Sequence, residues 1–220
     1  MKQKLILVLL FIAGLVIVCS PMTDSYLSLV PYNPINRTFY GETHLWCKIV
    51  YYGVNIATAL LIVVPLILLF TSRKSDPTKK RSIQRMVIIS YLSLAIGPGL
   101  IVNSMLKENW GRARPYQVIR DHHPFSLPWQ PHFNRPVDNS MPSGHVSIGA
   151  FIGIPFIAAR RRKIGVLLSG VGFILVGLVR WLQGGHYFSD ICLAAIMVWI
   201  VSIVVFAVVD KLFPCKKKVI

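Results

Sequence analysis

Apolar runs separated by polar or basic segments follow one another along the 220-residue chain and define its architecture. Two of them, 164–182 and 191–209, are each long enough to cross a bilayer. Another contains Gly97-Pro98-Gly99, which bends or weakens a helix, and residues 145–159 are short for a span unless they are buried inside a bundle. The pattern predicts an all-α, polytopic membrane helix bundle with about six transmembrane helices, at 5–18, 46–71, 86–106, 145–159, 164–182 and 191–209.

The first apolar run follows a basic N-terminus, a combination that is also typical of a cleaved signal peptide. The sequence Val-Ile-Val-Cys before Ser20 offers no small-residue cleavage site, so we favour an uncleaved first helix. Residues 20–44 contain three prolines among polar and aromatic residues, which indicates an external segment lying on the membrane interface. We therefore predict a single membrane domain, 1–220, with its core at roughly 46–210.

Composition supports a membrane protein, and the distribution of charge predicts its orientation. The chain is 54% hydrophobic with a mean hydropathy of +0.59, which excludes an ordinary soluble domain. Most of its 24 lysines and arginines lie in four segments: the N-terminus, 72–85, 160–163 and 211–218. The positive-inside rule places these segments in the cytosol, beside anionic membrane lipids, so the net charge of +16 does not indicate nucleic acid. The segments 20–44, 107–144 and 183–190 then face outward.

The cysteines suggest neither a metal site nor a disulfide framework. Four of them are scattered along the chain without a C-x-x-C pair. Cys19 and Cys47 could lie near the same membrane face and form a disulfide, but nothing in their spacing requires it. We expect no metal and no cofactor.

Ionisable residues gather between the last two apolar runs. Arg180, His186 and Asp190 follow one another at R-x5-H-x3-D, and residues four apart share one face of a helix. The carboxylate could therefore hold the imidazole in one tautomer, while Gly184 and Gly185 would let a ligand approach the backbone closely. The alternative is a juxtamembrane loop with a capping Asp and an interfacial His.

Two other outward segments carry comparable residues. Lys107 and Arg114 are seven positions apart at the outer end of a span, where they could bind an oxyanion or simply extend towards lipid headgroups. Ser143 and Gly144 precede His145 at the start of an apolar helix, and the free N–H groups of a helix N-terminus bind phosphate. A capped helix with an interfacial His is the alternative there.

Taken together, the three segments suit a phosphate monoester. They lie on one side of the membrane by charge counting, and they supply cations, a helix N-terminus and two histidines. These are the groups that phosphoryl transfer needs as charge clamp, nucleophile and leaving-group acid.

The same residues resemble the three signature motifs of the type 2 phosphatidic acid phosphatase family, which shares its core with vanadium haloperoxidases. The motifs are K-x6-R-P, P-S-G-H and R-x5-H-x3-D, and the resemblance extends from the second span to the C-terminus. The third motif usually begins Ser-Arg, and Val179 stands here in place of the Ser. The runs 103–115 and 177–190 are similar to the bacterial lipid A 4'-phosphatase branch, which can vary at the His that is kept here as His145.

The resemblance implies a role for each residue. His186 would be the nucleophile, with Asp190 orienting it, and His145 would protonate the leaving alkoxide and then activate water. Lys107, Arg114 and Arg180 would hold the phosphate oxygens, assisted by Ser143 and the Gly144 N–H. Headgroup selection could involve residues that otherwise belong to a solvated loop, namely Glu108, Arg112 and, within 116–140, His122, His123, Trp129, His132 and Arg135.

The expected protein is thus an outward-facing lipid phosphatase of the bacterial inner membrane, with its active site facing the periplasm and lipid A as the preferred substrate. Undecaprenyl diphosphate and phosphatidylglycerophosphate are alternative substrates. A transporter or scaffold is the alternative of another class, but its charges should lie deep inside the spans, and here they lie at span ends. The sequence leaves the oligomeric state open.

Overall fold

The computed structural model describes residues 20–135 and 138–213, and helices dominate these ranges. Two short strands, β1 (Tyr32–Asn33) and β2 (Thr38–Phe39), pair antiparallel in a small hairpin near the beginning. The α-helices, in chain order, are α1 (Pro21–Leu29), α2 (Tyr40–Thr43), α3 (Leu45–Thr71), α4 (Pro77–Leu94), α5 (Pro115–Arg120), α6 (Gly144–Phe151), α7 (Ile154–Ala158), α8 (Arg162–Leu182) and α9 (Phe188–Leu212).

Within the described ranges, four helical segments are long and apolar enough to span a membrane: Leu45–Lys74, Pro77–Lys107, Arg162–Leu182 and Phe188–Leu212. Each corresponds to one of the predicted spans. A further predicted span, 145–159, corresponds to α6 and α7. It is apolar but shorter than a span, as its sequence indicated. The predicted first helix at 5–18 lies outside the described residues, as does Cys19 of the suggested cysteine pair, so the total of six helices stays a prediction.

The basic segment 72–85, which the sequence places between two spans, is largely helical. A 3₁₀ turn at Ser72–Lys74 ends the preceding span, and α4 already begins at Pro77. The Asp76 side chain caps this helix by accepting hydrogen bonds from the backbone N–H groups of Thr78 and Lys79, at 2.9 and 3.1 Å. An Asp cap followed by Pro is a strong helix start. Hydropathy did not reveal this start, because the side chains in the first turns of the helix are basic.

At Gly97-Pro98-Gly99, where the sequence predicts a bent or weakened helix, the helix changes type. From α4 the chain continues without a break into a π-helix, Ala95–Lys107, which contains Pro98. The Asn103 side-chain amide donates a hydrogen bond to the Pro98 carbonyl at 2.6 Å. The wider helical turn accommodates the proline, which cannot donate a backbone hydrogen bond. The span ends with Lys107.

Glycines let α6 and α7 pack closely against α8. A Cβ atom on Gly149 would approach the Gly172 carbonyl to 2.6 Å, and one on Gly153 would collide with the Gly165 carbonyl. Small residues at such positions allow helix backbones to approach one another in membrane proteins. The buried side chains of Val146, Phe151 and Ile154 fill the remaining space. This packing fixes the beginning of α6 beside the end of α8.

The N-terminal segment is not merely interfacial, because part of it enters the bundle. Asp24, in the middle of α1, is fully buried. The Trp181 indole N–H, near the end of α8, donates to the Leu27 carbonyl at 2.9 Å. α1 therefore packs on the same end of the bundle as the beginnings of α6 and α9.

Candidate active site

His186 lies in the linker between α8 and α9, and only 2% of its surface is exposed. Its Nδ1 atom is 2.6 Å from the backbone carbonyl oxygen of Ser140. A carbonyl oxygen can only accept a hydrogen bond, so Nδ1 carries the proton of the neutral ring. The other ring nitrogen, Nε2, therefore keeps its lone pair, which is the arrangement that a nucleophilic imidazole requires.

The surroundings of His186 keep its ring neutral. Burial lowers the pKa of His186 well below its ordinary value, and the positive charges of Arg180, Arg114 and Lys107 lower it further. The hydrogen bond to Ser140 opposes this shift without reversing it. At neutral pH, which is above the lowered pKa, the imidazole is unprotonated and its Nε2 atom is able to attack an electrophile.

The three predicted phosphate-binding cations act on His186 together, and none of them belongs to an ion pair within residues 20–135 and 138–213. Arg114 donates to the neutral Asn139 side chain at 2.6 and 3.0 Å. Arg180, which is 6% exposed, donates through Nη1 to the Gln183 amide at 2.6 Å. Cations held by neutral partners leave an uncompensated positive potential, which favours a bound anion.

Two buried hydrogen-bond donors beside these cations have no partner among the described residues. They are the Ser143 hydroxyl and the Nε atom of Arg180. Ser143 is the residue preceding α6, but its side chain does not cap the helix. Buried polar groups are almost always hydrogen-bonded, so unpaired donors at one place indicate a missing acceptor. A phosphate would supply acceptor oxygens for both.

His145, the second residue of α6, stacks on an aromatic ring that the sequence analysis did not single out. The rings of His145 and Tyr51 are 4.3 Å apart and nearly parallel, at 18°. The Arg180 guanidinium carbon lies 4.9 Å from the centre of the same Tyr51 ring. Tyr51 comes from α3 and links two motif residues, but its position in an apolar span gave no sign of this role.

Asp190 does not orient His186 in the way that the sequence suggested. One of its carboxylate oxygens accepts a hydrogen bond from Arg112. The other accepts from the Ser140 hydroxyl at 2.6 Å and from the Tyr187 backbone N–H at 3.0 Å. Asp190 thus fixes the backbone on both sides of the imidazole, while the Ser140 carbonyl holds the ring itself.

Arg112 was expected in a solvated loop or at the substrate headgroup, and both expectations are wrong. Its side chain is fully buried and forms ion pairs with two fully buried carboxylates, those of Asp190 and Asp24. It also donates to the Ser189 hydroxyl at 2.9 Å and to the Ser126 carbonyl at 3.0 Å. Burial disfavours its charge, but Asp190 and Asp24 raise the pKa of Arg112 above its usual value. Arg112 is therefore a structural cation.

Asp24 completes this buried network from the N-terminal segment. It accepts hydrogen bonds from the Ser189 backbone N–H at 3.0 Å and from the Ser189 hydroxyl at 2.5 Å. The network joins α1 to the first turn of α9, immediately after His186. Asp24 was not predicted from the sequence, because a single carboxylate in an interfacial segment has no local partner that would indicate its role.

The remaining predicted residues lie nearer the surface. Glu108, His122 and Trp129 are exposed, and His123 pairs with Asp138 at 2.8 Å. A role of this segment in headgroup selection stays a prediction. Val179, which replaces the usual Ser of the third motif, is fully buried.

The chain is similar to known proteins over much of its length. A model of the PAP2 superfamily matches residues 86–214, which include all three motifs and leave out Asp24. Over 213 residues the chain is 28% identical to the "Lipid A 4'-phosphatase" of Francisella tularensis subsp. novicida (strain U112). That alignment covers 93% of this chain and 94% of the relative. No solved structure matches the chain.

Proposed function

Because the chain belongs to the PAP2 superfamily and is a phosphatase, we propose that it hydrolyses a phosphate monoester of a membrane lipid through a phosphohistidine at His186. One observation carries this proposal. The neutral, buried imidazole of His186 donates through Nδ1 to the Ser140 carbonyl, beside cations that form no ion pair within residues 20–135 and 138–213. A buried nucleophile with a free Nε2 atom and cations nearby suits attack on a phosphate anion.

In the first step, Nε2 of His186 forms a bond to phosphorus as the bond from phosphorus to the lipid oxygen breaks. Lys107, Arg114 and Arg180 neutralise the phosphate oxygens, and the Ser143 hydroxyl and the Gly144 N–H donate hydrogen bonds to them. His145 gives its proton to the departing alkoxide. The Nδ1–H group of His186 continues to donate its hydrogen bond to the Ser140 carbonyl, so the ring keeps one orientation throughout.

In the second step, the same His145, now unprotonated, takes a proton from water. The resulting hydroxide attacks phosphorus, and the bond from phosphorus to Nε2 of His186 breaks, which releases inorganic phosphate and restores the enzyme. One histidine can serve both steps because the first leaves it in the form that the second needs.

We propose lipid A as the substrate, and the name of the Francisella relative supports this choice. Undecaprenyl diphosphate and phosphatidylglycerophosphate are the alternatives. The test is phosphate release by the purified chain in detergent from each of these three lipids, with His186→Ala as the matched control. Lipid A should be hydrolysed fastest, and release from none of the three would refute a lipid phosphatase.

We further propose that the active site faces the periplasm of a bacterial inner membrane, because the basic segments lie at the opposite ends of the spans. Cysteines introduced singly at Thr78 and Gln130, both exposed, test this in a variant without native cysteines. An impermeant thiol reagent should label position 130 in cells with a permeable outer membrane and an intact inner membrane, and leave position 78 unlabelled. The reverse pattern would mean that the active site faces the cytosol.

Activity should survive removal of divalent metals, because arginine and lysine side chains supply the positive charge around the phosphate. The measurement is phosphate release with a water-soluble monoester before and after EDTA, since a soluble substrate separates effects on the enzyme from effects on lipid packing. The rate of phosphate release should change by less than about twofold. A single group that stabilises the transition state contributes far more, roughly 10²–10³-fold. Complete loss, restored only by a divalent metal, would contradict the proposed charge clamp.

A further inference from the structure

A cavity lies at the end of the bundle opposite to His186. It has a volume of about 1020 Å³ and is bounded by α4, α7, α8 and α9. Asp210 at this end of α9 is twenty residues from Asp190 at the other, which places the two about 30 Å apart along a continuous helix. The cavity is therefore separate from the catalytic site.

The walls of this cavity are apolar and continue onto the membrane-facing surface. Trp199, Phe206 and Ile157 line it, together with Val166 and Ile203, which are 63% and 67% exposed. These two residues belong to α8 and α9, both of spanning length, so their exposed faces lie against lipid chains. A ligand that enters between these helices needs a hydrocarbon portion.

The mouth of the cavity is basic. Arg160 and Arg162, in the turn before α8 and at its first residue, line it and are exposed, and neither forms an ion pair within residues 20–135 and 138–213. Arg85 also lines it, but the Asp210 carboxylate at 2.5 Å compensates its charge. Two uncompensated guanidinium groups thus remain, and guanidinium binds phosphate with paired hydrogen bonds.

A buried hydroxyl lines the same cavity, about two helical turns beyond Arg162 along α8. Ser169 lines the cavity, is only 4% exposed, and its Oγ has no hydrogen-bond partner among the described residues. Because an unpaired buried hydroxyl is unfavourable, a ligand that reaches Ser169 should present an acceptor there. The ester carbonyl of a glycerolipid lies at this depth, between its phosphate and its acyl chains.

We propose that this cavity binds an anionic phospholipid of the leaflet opposite to the catalytic site. Its phosphate contacts Arg160 and Arg162, an ester carbonyl accepts from Ser169, and an acyl chain lies against the apolar walls. A zwitterionic lipid fits less well, because its ammonium group would enter a region with two uncompensated positive charges. Basic pockets between spans on the cytoplasmic side bind anionic headgroups in this way.

The test uses dioleoyl phosphatidylglycerol and dioleoyl phosphatidylcholine, which have the same acyl chains but different net charges. Native mass spectrometry of the purified full chain measures retained lipid, and thermal unfolding measures stabilisation. Phosphatidylglycerol should be retained more strongly and should raise the Tm more than phosphatidylcholine. Equal effects of the two lipids would overturn the proposal, as would equal stabilisation by soluble glycerophosphoglycerol.

Matched variants locate the binding. The double variant Arg160→Gln/Arg162→Gln should bind phosphatidylglycerol about 30-fold more weakly, since each basic residue near an anionic headgroup contributes about fivefold. The control Lys79→Gln/Lys80→Gln removes the same charge from the beginning of α4, away from the cavity lining, and should bind normally. Equal losses in the two double variants would mean that the charge of the whole surface, not the cavity, attracts the lipid.

A steric variant tests the cavity without changing charge. A Cβ atom on Gly170, which lines the cavity, would meet nothing within 4 Å, and the same holds for Gly53 on α3. Gly170→Leu should fill the cavity and abolish the preference for phosphatidylglycerol, while Gly53→Leu should retain it. Both variants should still hydrolyse a soluble monoester, which reports on folding. A preference that survives in Gly170→Leu would overturn the proposal.

Discussion

Replacing Arg112 by alanine is expected to lower the free energy of unfolding by about 3–5 kcal/mol, because it leaves buried carboxylates without a counter-charge. Asp24 and Asp190 are both fully buried, and Arg112 forms an ion pair with each of them. Unfolding in mixed micelles with increasing denaturing detergent measures this loss. Phosphatase activity should fall with it, because Asp190 holds Ser140 and Tyr187 on either side of His186.

Two further variants separate this explanation from a general loss of packing. Arg120→Ala also breaks an Arg–carboxylate pair, with Glu42, but the partners are 25% and 32% exposed and the loss should be below about 1 kcal/mol. Adding Asp24→Asn to Arg112→Ala removes one unpaired charge and should restore part of the stability. If the double variant is no more stable than Arg112→Ala, uncompensated charge is not the cause.

Replacing His186 by alanine is expected to abolish turnover with every substrate, whereas replacing His145 should depend on the leaving group. Without His145, a lipid alkoxide leaves unprotonated, and loss of a general acid typically lowers the rate about 10²–10⁴-fold. The nitrophenolate of p-nitrophenyl phosphate needs little protonation, so its first step should recover a good part of that loss. The helix N-terminus beside His145 assists proton donation, because the positive end of the helix dipole disfavours a protonated imidazole.

Rapid-quench kinetics distinguish the two histidines, because the burst of the first turnover reports bond breaking at the leaving-group oxygen and the later rate reports dephosphorylation. In His145→Ala, p-nitrophenyl phosphate should give a burst followed by slow turnover, since no base activates water. Tyr51→Leu is a useful companion, because it removes the ring on which His145 stacks but keeps both histidines. Equal burst losses in His145→Ala with good and poor leaving groups would contradict the assignment of His145 as the acid.

Arg112 and Arg114 show where sequence reasoning reached its limit. Both lie in the sequence Gly-Arg-Ala-Arg-Pro, and only the motif spacing separated one from the other. Arg114 was predicted to bind phosphate, and it lies among uncompensated cations. Arg112 points to carboxylates from residues 24 and 190, and no local pattern identifies partners that are 88 and 78 positions away.

The spans were predictable because hydropathy acts over the whole length of a helix. Four predicted spans are present, and Gly97-Pro98-Gly99 marks the place where the helix changes to π geometry. The beginning of α4 was missed because its first turns are basic, and hydropathy does not register the cap that Asp76 provides. The i, i+4 spacing of His186 and Asp190 suggested a direct contact, but His186 lies before the helix, so the rule for residues on one helical face did not apply.

The hydrogen bond to His186 was also beyond prediction from sequence. A backbone carbonyl carries no residue identity, and Ser140 lies 46 positions before the ring that it holds. The motifs predicted the set of side chains that we propose to bind the phosphate. Only the structure shows which groups hold those side chains in place, because these groups belong to distant segments of the chain and make buried contacts.

Location of the phosphoryl group after a single turnover tests the central claim most directly. His145→Ala mixed with ³²P-labelled p-nitrophenyl phosphate and quenched in alkali should accumulate a covalent phosphoenzyme, since its formation is partly preserved and its hydrolysis is slow. Peptide mapping should place the label on His186, with the acid lability and base stability of a phosphohistidine, and His145→Ala/His186→Ala should carry none. Label on another residue, or on the double variant, would contradict the account.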